Sequence, residues 1–289
     1  MSLPAGQAAL RRASLVDLHI HSNISDGKLS PAELVRKAAG LGLRVLSLTD
    51  HDAVDGTKPA LTAAAAFPGL RLIPGVEIST DLPDGEAHIL GYYIDYTDPD
   101  LLAALERFRN SRQTRARRMV EKLASLGIDV DWGRVQEIAG EGSIGRPHIA
   151  RAMLEKGYIT TFVEAFDKYL GHGGPAYVER DKMTPEEAVA LVVRAGGLPV
   201  LAHPFTVADP DEMAARLKPA GLVGVEAYYK DNTPEQTQGT LDLAKKYGLI
   251  ATGGSDYHGV TDSEVEMGGV EVPMEAVERL EKMARKGAR

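Results

Sequence analysis

No cysteine occurs anywhere in the 289 residues, which excludes both a disulfide framework and a thiolate zinc site. Any metal must be held by nitrogen and oxygen, a donor set that suits manganese, magnesium, iron or zinc in an open catalytic site. No apolar run reaches the length that spans a bilayer, and the first residues show no signal-peptide core. The expectation is a cytoplasmic protein with no membrane partner. No glycine-rich fingerprint follows the first β-branched run, which counts against a dinucleotide fold. The formal net charge of −8 argues against a general nucleic-acid coat. Residues 1–12 read as a loose start.

The chain is rich instead in histidines placed beside carboxylates or tight turns. There are eight: His19, His21, His51, His88, His148, His172, His203 and His258. Seven β-branched or leucine-rich runs, at 14–20, 43–49, 70–78, 87–94, 197–203, 221–228 and 248–254, alternate with helical stretches. Ser30-Pro31 with Glu33, Thr184-Pro185 with Glu187, and Thr233-Pro234 with Gln236 each combine an N-cap, a first-turn proline and a capping-box partner. Alternation of this kind implies a mainly parallel sheet, and seven strands over this length favour a distorted barrel over an open doubly wound sheet. The alternation lapses between about 98 and 180. There the pattern gives helices at 99–126, 131–140, 146–156 and 159–170, read as an insertion domain on a barrel made of 14–97 and 181–289.

Polar residues collect at the strand ends. His19 and His21 close the first run on one side, because strand side chains alternate. Asp50 and His51 close the second, Glu77 the third and His203 the fifth, while Asp256 and His258 follow the seventh. His88 is the exception, at the beginning of its strand. The carboxyl ends of parallel barrel strands form one face, so these residues are expected to meet. Taken singly, a strand-end histidine or aspartate is ordinarily a turn residue; it is the ordered set that points to a metal cluster.

The strings DLHIHSNISDG (17–27), LTDHD (48–52), GVE (75–77), HIL (88–90), AHP (202–204) and SDYH (255–258) closely resemble, in order, the motifs of the PHP (polymerase and histidinol phosphatase) superfamily. The likeness spans roughly residues 14–272 and is greatest to phosphoesterases with a helical insertion, among them nucleoside 3′,5′-bisphosphate phosphatases and a 5′→3′ exoribonuclease. It implies an α/β fold, a distorted (β/α)7 barrel with an α-helical insertion, holding two or three divalent ions, with manganese favoured over zinc, iron or magnesium. The family's ligand positions fall on His19, His21, Asp26, His51, Glu77, His88, His203, Asp256 and His258. By the family pattern His19, His21, Glu77 and Asp256 hold one ion. Glu77 bridges to a second with His88 and His203, and Asp26, His51 and His258 form a third site. Glu77, His203 and Asp256 would then be catalytic, with a metal-activated water as nucleophile and no nucleophilic serine or cysteine.

Substrate recognition rests on less. GRPHIAR (145–151) opens an insertion helix, and similar phosphoesterases carry a comparable arginine–histidine element there. Arg146 suits bidentate phosphate binding at a helix N-terminus, and His148 could bond the same group; the alternative is that both only cap the helix. Six arginines in RFRNSRQTRARR (107–118) either attract a nucleotide or form an ordinary solvated face. Tyr228 and Tyr229 could stack on a base or pack the rim. Asp50 could orient a ligand; Asp52 and Asp55 read as turn residues and His172 as a loop residue. The expected substrate is a small phosphorylated molecule, a nucleotide or a short RNA end, and no obligate protein partner is evident. The favoured reaction is hydrolysis of the 3′-phosphate of a nucleoside 3′,5′-bisphosphate. The alternatives are exonucleolysis of 5′-phosphorylated RNA, histidinol-phosphate hydrolysis and a non-catalytic module, which would normally show lost ligands.

Overall fold

Where the sequence alternates apolar runs with capped helix starts, the chain folds as strand and helix in turn. The computed structural model describes residues 14–82, 85–140, 144–179, 183–261 and 264–287; the loose start at 1–12 lies outside them. The first half contains β1 (Val16–Ile20), α1 (Pro31–Gly40), β2 (Val45–Leu48), α2 (Thr57–Ala64), β3 (Arg71–Leu82) and β4 (Gly85–Tyr92). Four helices follow: α3 (Pro99–Ser125), α4 (Trp132–Ala139), α5 (Arg146–Glu155) and α6 (Phe162–Ala165), the last running into a π-helical turn, Phe166–Leu170. The remainder is α7 (Pro185–Arg194), β5 (Leu198–Leu201), a 3₁₀ turn (Pro204–Thr206), α8 (Pro210–Leu217), β6 (Gly224–Tyr229), α9 (Pro234–Tyr247), β7 (Ile250–Gly254) and α10 (Met274–Gly287). The capping boxes form at Ser30, Thr184 and Thr233, each side chain accepting from the N3 amide while the N3 side chain accepts from the cap amide.

The seven strands make one sheet in sequence order, bent into a nearly closed barrel. Four neighbouring pairs are parallel, but β4 runs antiparallel to both β3 and β5. This reversal explains the odd position of His88. An antiparallel strand begins at the end where its neighbours finish, so a histidine early in β4 shares a face with residues late in the others. The seam between β1 and β7 is closed by a bridge from Ile20 to Tyr257, with the His21 N–H donating to the Tyr257 carbonyl at 2.9 Å. Gly254 permits that approach, since a Cβ there would lie 2.5 Å from the backbone nitrogen of His19.

Apolar side chains from six strands (Leu18, Val45, Ile73, Leu90, Val200 and Ile250 among them) pack together with Val277 and Leu280 of α10. A separate cluster is drawn wholly from residues 116–176, including Met119, Leu123, Ile149 and Met153. The helices after β4 therefore have a core of their own. Among the described residues, no helix is long and apolar enough to cross a membrane.

Candidate metal centre

All nine residues expected from the sequence converge at one rim of the barrel. β1 carries His19 and delivers His21 just past its end, and both rings are fully buried. Glu77, in β3, is the hub. Its Oε2 lies 3.3 Å from His19 Nε2, 3.2 Å from His21 Nε2 and 3.0 Å from His51 Nδ1. Its Oε1 lies 2.8 Å from His88 Nδ1 and 3.1 Å from His203 Nε2. One carboxylate thus faces five imidazoles. Asp256 Oδ1 is 3.1 Å from His21 Nε2 and 3.5 Å from His19 Nε2. Asp26 is 3.3 Å from His258 Nε2, 3.7 Å from His21 Nδ1 and 3.8 Å from His51 Nε2.

Three groups have donor atoms within 4.8 Å of one another: His19, His21 and Asp256; His21, Asp26, His51 and His258; and His51, Glu77 and His88. They overlap at His21 and His51, and His203 touches the set through Glu77. The fit to cations can be judged from the atoms themselves. His19 Nε2, His21 Nδ1 and Nε2, Asp26 Oδ1 and Glu77 Oε2 are buried without an aligned hydrogen-bond partner. Left unsatisfied, each such atom costs about 1–3 kcal/mol. These nitrogens and oxygens face one another without aligned hydrogen bonds, and all are donors of the kind that divalent cations accept, so the residues fit such ions.

The electrostatics agree. Burial pushes the Glu77 carboxyl up, but His51, His19 and His88 outweigh burial and hold it well below the usual range. Asp26 and Asp256 are depressed in the same way, against burial, chiefly by His258 and by His19 respectively. Burial disfavours the His21 cation, yet Asp256, Glu77 and Asp26 raise its pKa to about 10. His51 goes the other way: burial, with help from His21 and His88, takes it down to about 3. The rim is built to hold positive charge among three ionised carboxylates, and its imidazoles cannot all supply it.

A layer of fixed partners holds these side chains. Asp50 accepts from the Ser22 amide at 2.6 Å, the Ser22 hydroxyl at 2.8 Å and the Ser25 hydroxyl at 3.0 Å, tying down the loop that presents Asp26. Buried Asp17 accepts from Ser255 and Gly268 and so braces the turn ahead of Asp256. Tyr229 donates its hydroxyl to Asp256 Oδ2 at 2.9 Å, and Lys230 reaches the same oxygen at 3.1 Å. Tyr229 is thus a rim residue, and Tyr228 packs against the barrel core. His203 and Asp256 have positive φ, +23° and +48°. Such non-glycine strain costs on the order of 1–3 kcal/mol and persists where surrounding contacts over-determine it. Asp52, at φ +48°, accepts from the Ser79 amide, and Asp55 pairs with Arg109.

A cavity of about 170 Å³ runs from this rim to the helices, lined by Asp26, His51 and His88 on one side and Arg115, Arg146 and Phe166 on the other. Glu86 of β4 bridges the arginines, 2.5 Å from Arg146 Nη2 and 3.3 Å from Arg115 Nη1. Arg115 also donates to the Val178 carbonyl at 2.6 Å and lies over the Tyr177 ring. Among the described side chains of the arginine run, Arg115 alone lines this cavity. Arg107 and Arg118 line an outer groove that meets it at Arg115; the side chain of Arg112 lies outside the described residues. His148 sits elsewhere, its Nδ1 accepting from the Gly145 amide at 2.9 Å as a helix cap. His172 is exposed and edges against Tyr177.

Sequence reasoning missed Glu226, Glu86, Arg115 and Lys230. Glu226 had a usable signal, because GVE occurs at both 75–77 and 224–226. For Arg115 and Glu86 no spacing rule singles them out; only the docking of helices on barrel brings them together.

Comparison with known proteins supplies the context. The PHP domain family model matches residues 17–194. A 5′-3′ exoribonuclease of Haemophilus influenzae is 35% identical over 246 residues, covering 84% of this chain and 89% of its own. A 3′,5′-nucleoside bisphosphate phosphatase of Chromobacterium violaceum is 34% identical, covering 89% of this chain and 91% of its own. A crystal structure assigned as a metal-dependent phosphoesterase from Bifidobacterium adolescentis superposes with a TM-score of 0.83 at 31% identity, covering 92% of this chain and 94% of its own.

Proposed function

The chain belongs to the PHP domain family and is a metal-dependent phosphoesterase, and from that premise we propose that it hydrolyses the 3′-phosphate of nucleoside 3′,5′-bisphosphates. The two similar relatives differ in substrate at almost equal identity, 35% and 34%, so identity does not choose between them. The observation that carries the reading is the shared cavity, which places two guanidinium groups opposite the metal-competent rim. One phosphate is cleaved at the rim while a second is held by Arg146 and Arg115.

In this reading His19, His21, Glu77 and Asp256 hold one ion, Glu77 with His88 and His203 a second, and Asp26, His51 and His258 a third, manganese being the favoured metal. Bound ions of this kind supply Lewis acidity toward phosphoryl oxygens and an activated water. The chain's own residues bind and orient. Arg146 offers a fork of N–H donors to a phosphate, and the amides opening α5 add partial positive charge beside it. His148, through its cap on Gly145, keeps that helix start in place. Glu86 holds both guanidiniums in register before substrate arrives. Residues 98–180 act as a cap that limits water at the cavity, with the barrel formed by 14–97 and 181–289.

One observation favours a second reading: the groove of Arg107 and Arg118 that meets the cavity at Arg115 could carry the rest of a 5′-phosphorylated RNA. Inorganic phosphate released from 3′,5′-bisphosphates and histidinol phosphate, and mononucleotides released from 5′-phosphorylated short RNA, measured on the manganese-loaded protein, separate these. Preferential turnover of the bisphosphate is expected. Preference for RNA transfers the assignment to the exonuclease, and inertness toward the whole panel overturns both.

A further inference from the structure

Glu226 belongs to none of the three donor groups, yet it touches two members of the rim at once. It is fully buried in β6. Its Oε1 lies 2.9 Å from His19 Nδ1, and its Oε2 accepts the His203 backbone N–H at 2.8 Å. The ladder between β6 and β7 slips immediately after it, between Glu226 and Tyr228. A bulge of that kind re-aims the side chains around it.

The hydrogen-bond logic is restrictive. A carboxylate is acceptor-only, so a bond to Oε1 requires the proton of neutral His19 to sit on Nδ1. Its Nε2 lone pair then points at Glu77 Oε2 and Asp256 Oδ1, 3.3 and 3.5 Å away. The other oxygen pins the backbone of His203, the residue at φ +23°. We propose that Glu226 is a positioning residue for the metal centre, setting the tautomer of His19 and the strained backbone of His203 together. The proposal rests on the reading of the rim as a metal centre. Outer partners of this type typically change metal affinity by about 10–100-fold.

Glu226→Gln is the discriminating substitution because it conserves shape but supplies one acceptor where the site presents two donors. The amide oxygen can satisfy the His203 N–H, whose proton is fixed. The amide NH2 then faces His19 Nδ1 and drives the ring proton to Nε2, the side turned toward Glu77 and Asp256. Nitrogen-15 NMR of the imidazoles in metal-free protein reads the tautomer, and titration calorimetry with manganese reads affinity. The spectra are taken at a pH high enough for the His19 ring to be neutral, since, against burial, Glu226, Glu77 and Asp256 favour its cation. Expected are a switch of His19 from Nδ1–H to Nε2–H and a loss of manganese affinity of about 10–100-fold. Should the glutamine variant not fold, Glu226→Asp, which keeps an acceptor-only group on a shorter arm, is read the same way, with the Nδ1–H tautomer retained and an intermediate affinity.

An unchanged tautomer with unchanged affinity overturns the proposal, as does a lower melting temperature with neither readout moving, which would mark Glu226 as merely structural. Wild-type protein that binds none of manganese, zinc, iron and magnesium overturns the metal-centre reading itself, and that outcome is distinct from both.

Discussion

The barrel rim and the helices after β4 present chemistry in opposite ways. At the rim, eight side chains from five other strands or their ends meet around Glu77, buried or half-buried, on partly strained backbone, with further acids fixing their orientation. On the helical side, two arginines bridged by Glu86 from β4 face a cavity over a separate apolar core. The rim is assembled from distant sequence and over-determined, so it tolerates little change. The helical side rests on a few charged groups whose partners can be exchanged for a ligand. The rim therefore sets the reaction class, and the helices set what is brought to it.

Each prediction tests that division. Removing metal by chelation should have the largest effect. Loss of several kcal/mol of charge stabilisation corresponds to at least about a 10³-fold fall in phosphate release, restored by manganese. Activity that survives chelation would remove the chemistry from the rim. Glu77→Gln should follow, with about 10²–10³-fold lower kcat and fewer bound ions per chain by elemental analysis. Full metal content with full activity would show that Glu77 is not the hub.

Arg146→Ala should act on the other side of the comparison. Charge-assisted bonds contribute about 1.5–3 kcal/mol, so kcat/KM for a bisphosphate should fall about 10–100-fold, with a simple aryl phosphate nearly unaffected. Equal loss on both would place Arg146 in the chemistry instead. His148→Ala should be the mildest, removing a cap for about 1 kcal/mol of stability, seen as a small drop in melting temperature with selectivity retained. A fall in bisphosphate selectivity matching that of Arg146→Ala would show that His148 touches substrate.

How much of this was legible differs between the two regions for a physical reason. Ser30, Thr184 and Thr233 announce their helices because capping is local. His19 with His21 is visible because strand periodicity puts them on one side. His88 read as an exception because nothing in the sequence announces that β4 runs antiparallel; hydrogen bonding between strands decides that. Asp26 follows only from the family resemblance, since it sits in a loop without periodic signal whose shape depends on Asp50, at the end of another strand. Arg115 looked like its neighbours in an arginine-rich helix, and only the docking of α3 beside Glu86 and Val178 distinguishes it.

The most direct test of the division between rim and helices is the ratio of kcat/KM for a nucleoside 3′,5′-bisphosphate to that for the matching nucleoside 3′-monophosphate, measured on the manganese-loaded protein. With one phosphate cleaved at the rim and the other held by Arg146 and Arg115, the ratio should be about 10–100 or more. A ratio near one would contradict it.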